Sequence, residues 1–223
     1  MSIIIESQKK LISKPENLNK GLLKIRELGR QDFVDTWSSM MNIVLSKGKE
    51  DSDEVWFLEH QPVFTLGISD SSNNFLKNTD IPVMRTDRGG KVTYHGPGQL
   101  VIYFIFNLRR LGWGPKKMIF ELEELIMELL ETYGINSERG EIPGVFVEEK
   151  KIASIGIKIK RGFTYHGMSL NIDMDLEPFS SINPCGVSSM KVTQLKEYTD
   201  IGLHQVTKDL KNLVKLKFEN HFE

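Results

Sequence analysis

The chain has 223 residues, of which 39% are hydrophobic, and its 29 basic residues nearly balance its 30 acidic ones. This length suits one ordinary domain or two small ones, and the charge balance excludes the strongly basic character of a nucleic-acid binder. The sequence has neither an apolar run approaching the ~18 residues of a membrane span nor a secretory signal. A single cysteine excludes an internal disulfide and a cysteine-based zinc cluster. These features predict a cytoplasmic protein that binds neither nucleic acid nor membrane.

The first half of the chain predicts strands around one amphipathic helix. Residues 1–20 form a predicted polar N-terminal arm. Apolar residues recur at helical spacing from Phe33 to Leu45, and Gly48 ends that helix. Six strands are predicted, over 22–28, 55–58, 63–66, 83–86, 91–95 and 99–108.

The second half predicts two helices and three further strands. Pro115 opens the clearest helix and Gly134 suits its C-terminal cap, whereas Asp200 is the predicted N-cap of the last helix. Strands are predicted over 145–148, 152–160 and 168–174, and a loop over 175–190. Strands with interspersed helices and no internal repeat predict an α+β fold around one mixed sheet.

Cys185 is the only thiol, and it lies between Pro184 and Gly186. An isolated intracellular cysteine is most often a small buried hydrophobic residue. Here the neighbours favour a tight turn, and loops usually present reactive groups. From these residues alone, a nucleophile and a passive thiol are equally supported.

Lys151 is the second candidate because of its position in a predicted hairpin strand. Alternate residues of a strand share a face, so Lys151 falls in register with Ala153, whereas Lys158 and Lys160 fall on the opposite face. A buried lysine amine is costly unless it is paired. Two alternatives stay open: the side chain extends to water, which the residues alone slightly favour, or a bulge at Gly156 resets the alternation.

Four glycines within residues 88–98 form the third feature, in Arg88-Gly-Gly and His95-Gly-Pro-Gly. Backbone at glycine can approach a ligand closely. This is not a phosphate loop, because the Gly-Lys-Ser/Thr ending of that motif is absent. Two ordinary hairpin turns are the alternative, and the flanking Arg88 and His95 favour a binding site.

The remaining histidines carry less information. They include no pair at metal-ligand spacing such as His-x-x-x-His, so no metal site is predicted. The sequence Thr-Tyr-His-Gly occurs at both 93–96 and 164–167, which we interpret as coincidence.

Three blocks of sequence together resemble a known family. They are Arg88-Gly-Gly-Lys-Val-Thr-Tyr-His-Gly-Pro-Gly-Gln-Leu-Val, Lys151-Ile-Ala-Ser-Ile-Gly and Asn183-Pro-Cys-Gly. Their combination is similar to the lipoyl(octanoyl) transferases, from about His60 to Leu195. The glycine block alone would be shared with relatives of that family, whereas the Pro-Cys-Gly block is not.

This resemblance implies a fold similar to the biotin and lipoate protein ligases, with residues 21–223 as a single acyltransferase domain. It implies transfer of an octanoyl group from acyl carrier protein to a lysine of lipoyl domains, in 2-oxoacid dehydrogenase E2 subunits and in the glycine cleavage H protein. That transfer is the first step of endogenous protein lipoylation. No cofactor is implied, and a monomer is expected because both macromolecular substrates must reach the site.

Two other functions compete with this one. An ATP-dependent lipoate-protein ligase would resemble the same fold, but it would need no cysteine. A non-catalytic protein would only bind acylated or lipoylated partners.

The resemblance also implies residue roles. Cys185 matches the acylated nucleophile, through which the acyl group passes as a thioester, and Lys151 matches its partner lysine. Three segments match those that line the acyl pocket. They are Arg88, Gly89, Gly90, Lys91, Val92, Thr93, Tyr94 and His95; Ser154, Ile155 and Gly156; and Gly167, Met168 and Ser169.

Overall fold

The structure is a computed structural model that describes residues 23–70, 79–183 and 190–219. The polar arm predicted over 1–20 and the candidate nucleophile Cys185 therefore lie outside the described residues. Among the helices that are described, none has the length and apolar character needed to cross a membrane.

Strands and helices alternate along the described residues in nearly the predicted order. The strands are β1 (Leu23–Gln31), β2 (Asp53–His60), β3 (Val63–Leu66), β4 (Val83–Arg85), β5 (Thr93–His95), β6 (Gln99–Ile105), β7 (Glu138–Arg139), β8 (Gly144–Val147), β9 (Lys150–Lys160) and β10 (Phe163–Asn171). The helices are α1 (Phe33–Ser46), α2 (Leu108–Leu111), α3 (Pro115–Thr132) and α4 (Leu203–Glu219). Two short 3-10 turns, Glu177–Ser181 and Leu195–Glu197, follow β10.

Seven of these strands form the main sheet, in the order β1-β2-β6-β10-β9-β8-β7. The first pair, β1 and β2, is parallel, and the other neighbours are antiparallel. A smaller sheet, β4-β3-β5, contains one parallel and one antiparallel pair. The described residues therefore have the predicted mixed α+β architecture.

Helices cover both faces of the main sheet because its strands alternate apolar side chains between the two faces. On one face, residues such as Ile102 pack against the apolar stripe of α3, which includes Leu125, and against α4. On the other face, Tyr103 packs with Met40 of α1. Burial of apolar surface, at roughly 25 cal/mol per Å², holds the three layers together.

The helix ends follow from their capping residues. The Asp32 carboxylate accepts hydrogen bonds from the backbone N–H groups of Val34 and Asp35, which caps α1. Pro115 is the first residue of α3, and Gly134 beyond its end has a φ of 73°, as the predicted caps require.

Asp200 is not the N-cap of α4, contrary to the prediction. The helix begins at Leu203, and the carbonyl of Gly202 accepts from the N–H of Val206. The Asp200 carboxylate instead pairs with the amine of Lys196 at 2.8 Å. The carboxylate therefore lies too early in the chain to cap this helix.

Two strand predictions are wrong in extent. Strand β6 ends at Ile105 instead of residue 108, because the Asn107 side chain accepts from Arg109 N–H at 3.2 Å and caps α2. Strand β10 begins at Phe163, five residues before the predicted start. Gly167 lies inside it: a β-carbon there would be 2.1 Å from the carbonyl oxygen of Ile102, so glycine allows β10 and β6 to approach.

Candidate active site

A cavity opens between the main sheet, the smaller sheet and the start of α1. It holds about 520 Å³ of empty space, counted out to its opening to solvent. Thirteen of the fourteen predicted substrate-binding residues line it, so the three sequence segments meet at one place. The lining residues are Phe33, Arg88, Gly89, Gly90, Lys91, Val92, Thr93, His95, Val101, Tyr103, Ser154, Ile155, Gly156, His166, Gly167, Met168 and Ser169.

Tyr94 differs from the other predicted substrate-binding residues in its placement. Its neighbours Thr93 and His95 line the cavity, and strand alternation turns the tyrosine to the opposite side. Its ring packs edge-on against Phe179, with 5.6 Å between ring centroids. Tyr94 therefore belongs to the packing of the smaller sheet, and its position gives no support to a substrate contact.

The loop of residues 88–90 is held closely against its neighbours. Gly89 donates its N–H to the backbone of β9 at 3.0 Å. Gly156 on β9 has no room for a side chain, because a β-carbon there would lie 2.9 Å from the Gly89 oxygen. The buried Arg88 guanidinium donates to the Thr65 carbonyl at 2.6 Å and to that of Gly89 at 3.0 Å. Arg88 thus ties the cavity wall to β3.

Three histidines and a tyrosine cluster on one side of the cavity: His95, His166 and Tyr103 line it, and His60 packs beside them. His60 Nε2 lies 2.7 Å from Tyr103 Oη, and the His60 and His95 rings are 5.9 Å apart. Burial lowers the pKa of His60 to about 4. Burial and the neighbouring His60 lower the pKa of His95 to about 3. At neutral pH both rings are therefore uncharged, and His95 gives the cavity a polar but neutral wall.

The placement of His60, His166 and Tyr103 beside the cavity was not predicted. One signal was present in the sequence, because both copies of Thr-Tyr-His-Gly place a histidine, His95 or His166, in the cavity lining. His166 also has a φ of 60° within strand β10. Non-glycine residues adopt this conformation rarely, and such residues concentrate at functional sites. Within the described residues, no group of three or more histidine, cysteine, aspartate or glutamate side chains has a metal-binding arrangement.

Asp87 connects the 88–90 loop to α1 and β10. Its Oδ1 accepts from Trp37 Nε1 at 3.2 Å and lies 3.1 Å from His166 Nε2, and the Tyr165 hydroxyl donates to its other oxygen. Partial burial raises the pKa of this carboxyl, but the hydrogen bonds from His166 and Tyr165 outweigh burial and lower the pKa of Asp87 to about 2. Asp87 is therefore an anion at neutral pH.

Lys151 lies three residues before Ser154 on β9, about 10 Å along the strand. It is 2% exposed, so the alternative that its side chain extends to water is wrong. Its Nζ donates to the Pro143 carbonyl at 2.9 Å and lies 5.4 Å from the centre of the Phe146 ring. A buried ammonium is stabilised by partners of this kind.

A bulge interrupts the strand alternation beside Lys151. Two consecutive residues of β8 pair with Ala153 and Lys151, which leaves Ile152 between them. The alternative of a bulge at Gly156 is wrong, because Gly156 keeps its register with β10. Strand alternation placed Lys151 in register with Ala153, but it did not describe the bulge beside which the side chain is buried.

The backbone of Lys151 pairs with the segment that follows Cys185 in the chain. Its N–H donates to the Lys191 carbonyl at 2.8 Å, and its carbonyl accepts from the N–H of Thr193 at 3.0 Å. Cys185 itself lies outside the described residues, six positions before Lys191.

Comparison with known proteins connects this site to a family. Residues 34–215 match the family described as the lipoyl protein ligase A/B catalytic domain. The octanoyltransferase of Vesicomyosocius okutanii subsp. Calyptogena okutanii (strain HA) is 50% identical over 179 residues, which cover 80% of this chain and 88% of that protein.

Solved structures confirm the predicted fold class. A bi-partite lipoate protein ligase from Thermoplasma acidophilum superposes with a TM-score of 0.70 at 17% identity, covering 90% of this chain and 84% of that one. The apo biotin protein ligase from Aquifex aeolicus has a TM-score of 0.51 at 11% identity, covering 89% of this chain and 70% of that one. At these identities the likeness concerns the fold alone.

Proposed function

We propose, on the premise that this chain belongs to the octanoyltransferases of the lipoyl protein ligase A/B catalytic-domain family, that it moves an octanoyl group from acyl carrier protein to a lysine of lipoyl domains. The proposed acceptors are lipoyl domains of 2-oxoacid dehydrogenase E2 subunits and the glycine cleavage H protein. The proposed enzyme works in the cytoplasm as a monomer, without a cofactor.

The proposed reaction consists of two acyl transfers. The Cys185 thiolate attacks the carbonyl carbon of the carrier thioester, the bond to the carrier sulfur breaks, and the carrier thiol leaves with a proton. The amine of the acceptor lysine then attacks the Cys185 thioester, loses a proton and forms an amide, and the Cys185 thiol is released. The first step exchanges one thioester for another and the second runs downhill to an amide, so ATP is not required.

The observation that carries this proposal is the pairing of buried Lys151 with the chain that follows Cys185. On the other side of the cysteine, Ile182 packs in the same cluster as Val92 of the cavity wall. The described residues on either side of Cys185 are therefore attached to the cavity wall and to Lys151, which supports the proposal that the two residues act together.

The cavity supports a medium-chain acyl substrate. Val92, Ile155 and Met168 supply apolar surface, and burial of each CH₂ contributes about 0.8 kcal/mol. The glycines of the 88–90 loop and of β9 let backbone approach the chain closely. A longer acyl chain therefore binds better than an acetyl group until the cavity is full.

In this proposal Lys151 acts mainly as a proton shuttle. A free cysteine with a pKa of ~8.5 is about 3% thiolate at pH 7. Lowering that pKa to ~7 raises the thiolate fraction roughly 15-fold, but the weaker nucleophile loses about five-fold, which leaves roughly a three-fold gain. A positioned acid–base group contributes typically ~10²–10⁴-fold. The larger effect is therefore to protonate the leaving thiol and to accept a proton from the incoming amine.

Intact mass spectrometry tests the proposed function directly. The protein is incubated with octanoyl-acyl carrier protein without ATP, and a lipoyl domain is then added. We expect an octanoyl adduct on the wild-type chain, its transfer to the lipoyl domain, and neither event with Cys185→Ala. An absent adduct, or transfer that requires free octanoic acid and ATP, contradicts the proposal and favours a ligase. Tight binding of the carrier without an adduct indicates a non-catalytic binding protein.

A further inference from the structure

The structure assigns a positioning role to Glu123, a residue of α3 outside the cavity lining. We propose that Glu123 holds Lys151 in place through one shared peptide group, the one between Pro143 and Gly144. Glu123 has this role only if Lys151 is the acid–base group, so the inference rests on the proposed function.

One peptide group connects the two charged side chains. The N–H of Gly144 donates to Glu123 Oε1 at 3.1 Å, and the carbonyl of Pro143 accepts from Lys151 Nζ at 2.9 Å. These two atoms belong to the same planar unit, and in a trans peptide they point in opposite directions. The carboxylate and the ammonium therefore lie on opposite sides of one peptide, and both polarise it in the same sense.

Glu123 is itself fixed in place. It is 7% exposed, and its second oxygen, Oε2, accepts from Arg139 Nε at 3.1 Å. Hydrogen bonds to an ionised carboxylate are stronger and more directional than neutral ones. Glu124, the next residue, also pairs with Arg139, but its side chain is 32% exposed. The two neighbouring carboxylates thus share an arginine and differ in their contact with the peptide.

The peptide approaches the lysine closely because residue 144 is glycine. Gly144 has a φ of 145°, and a β-carbon there would lie 2.5 Å from Lys151 Cε and 2.9 Å from Nζ. The amine therefore rests against this backbone, and its position depends on where the peptide is held. Misplacement of a reacting group by ~1 Å can cost ~10²-fold in rate. Glu123 fixes the peptide from the side opposite to the amine.

Steady-state kinetics with a neighbouring control test this role. We expect Glu123→Gln to lower kcat by roughly 10- to 100-fold, as a displacement of the reacting amine by up to ~1 Å would, while KM stays near the wild-type value. The melting temperature should also fall, because the buried carboxylate that pairs with Arg139 becomes a neutral amide. Glu124→Gln removes the charge of the other carboxylate that pairs with Arg139, and it should change kcat by no more than about two-fold. A loss confined to KM or to melting temperature, or an equal loss of kcat in Glu124→Gln, overturns the proposal.

A double-mutant cycle separates action through Lys151 from a general structural effect. The slow transfer by Lys151→Ala is followed by intact mass over hours, with and without Glu123→Gln. We expect no further loss from the second change, because the residue through which Glu123 acts is already gone. If Glu123→Gln slows transfer by the same factor in the wild-type chain and in Lys151→Ala, the positioning role is overturned. Wild-type rates in Lys151→Ala alone would instead overturn the acid–base role of Lys151. The absence of any octanoyl transfer by the wild-type chain would overturn the proposed function, so the failures are distinguishable.

Discussion

His60 Nε2 and Tyr103 Oη lie 2.7 Å apart in the buried cluster beside the cavity. On the other side of the ring, His60 Nδ1 lies 3.1 Å from the carbonyl oxygen of Gln31. Both side chains are buried, so a proton added to the imidazole would place a charge in a desolvated site. The folded state therefore resists protonation of His60 more than the unfolded chain does.

We expect the free energy of unfolding to fall as the pH drops from about 6.5 toward 4. Burial lowers the pKa of His60 to about 4 and that of His95 to about 3, so below ~6.5 the unfolded chain binds more protons than the folded one. Each ring should cost about 2 kcal/mol between pH 7 and pH 5. Urea unfolding at the two pH values measures this difference.

His60→Gln should reduce that pH-dependent loss, whereas His204→Gln, at an exposed position of α4, should leave it unchanged. An unaltered pH dependence in His60→Gln would show that the acid sensitivity arises elsewhere.

Lys151→Met should remove most of the octanoyl transfer while the protein still folds. Methionine fills similar volume in the buried site, and the Pro143 carbonyl loses one donor, at a cost of about 1–3 kcal/mol in stability. We expect the rate of transfer to a lipoyl domain to fall far more than three-fold. Lys160→Met, on the exposed end of the same strand, is the control. A loss of only about three-fold would reject the proton shuttle, because a lowered pKa of the Cys185 thiol would by itself explain an effect of that size.

Gly144→Ala should damage both stability and transfer. The new β-carbon would lie 2.5 Å from the Ala153 carbonyl oxygen as well as against the Lys151 side chain. Gly112→Ala is a matched control, because Gly112 has a φ of 67° with nothing within 4 Å of the added carbon. It should lose only about 1–2 kcal/mol of stability and keep its rate of transfer. Thermal melting and transfer rates compare the two, and equal behaviour would contradict the close packing around Lys151.

Asp87→Asn should weaken binding of the octanoyl carrier more than it slows the chemistry. The carboxylate accepts from Trp37, Tyr165 and His166, and a neutral amide is a poorer acceptor for all three. We expect a loss of about 1–3 kcal/mol in stability and a higher KM as the 88–90 loop shifts. Asp35→Asn, an exposed change on α1, should alter neither the stability nor the KM. An unchanged KM in Asp87→Asn would show that this anion does not shape the binding site.

The long elements were predicted well because their signals are local. Apolar spacing and terminal glycines indicated α1 and α3, and the alternating pattern indicated most of β9. The prediction placed the start of β10 at residue 168, directly after Gly167. Its role is to let two strands approach, and that need exists only once β10 lies beside β6.

The candidate site was predicted in part, through the resemblance of three sequence blocks to a family. Residues from the first two of those blocks line the cavity together with residues 167–169. His60, Tyr103 and Phe33 join them from segments without a recognisable motif. The assignment of Cys185 as nucleophile stays a prediction, because that residue lies outside the described part of the chain.

The sequence by itself determined which segments become helices and strands, since hydrophobic periodicity and capping residues act over a few neighbouring positions. Three features were decided only by the tertiary structure. Tyr94 packs away from the cavity, and Lys151 is buried beside a bulge. Glu123 accepts a hydrogen bond from the N–H of Gly144, in the peptide that also contacts Lys151. These relationships depend on strand order, register and backbone conformation, which bring distant residues within hydrogen-bonding distance. No local pattern of amino acids encodes those distances.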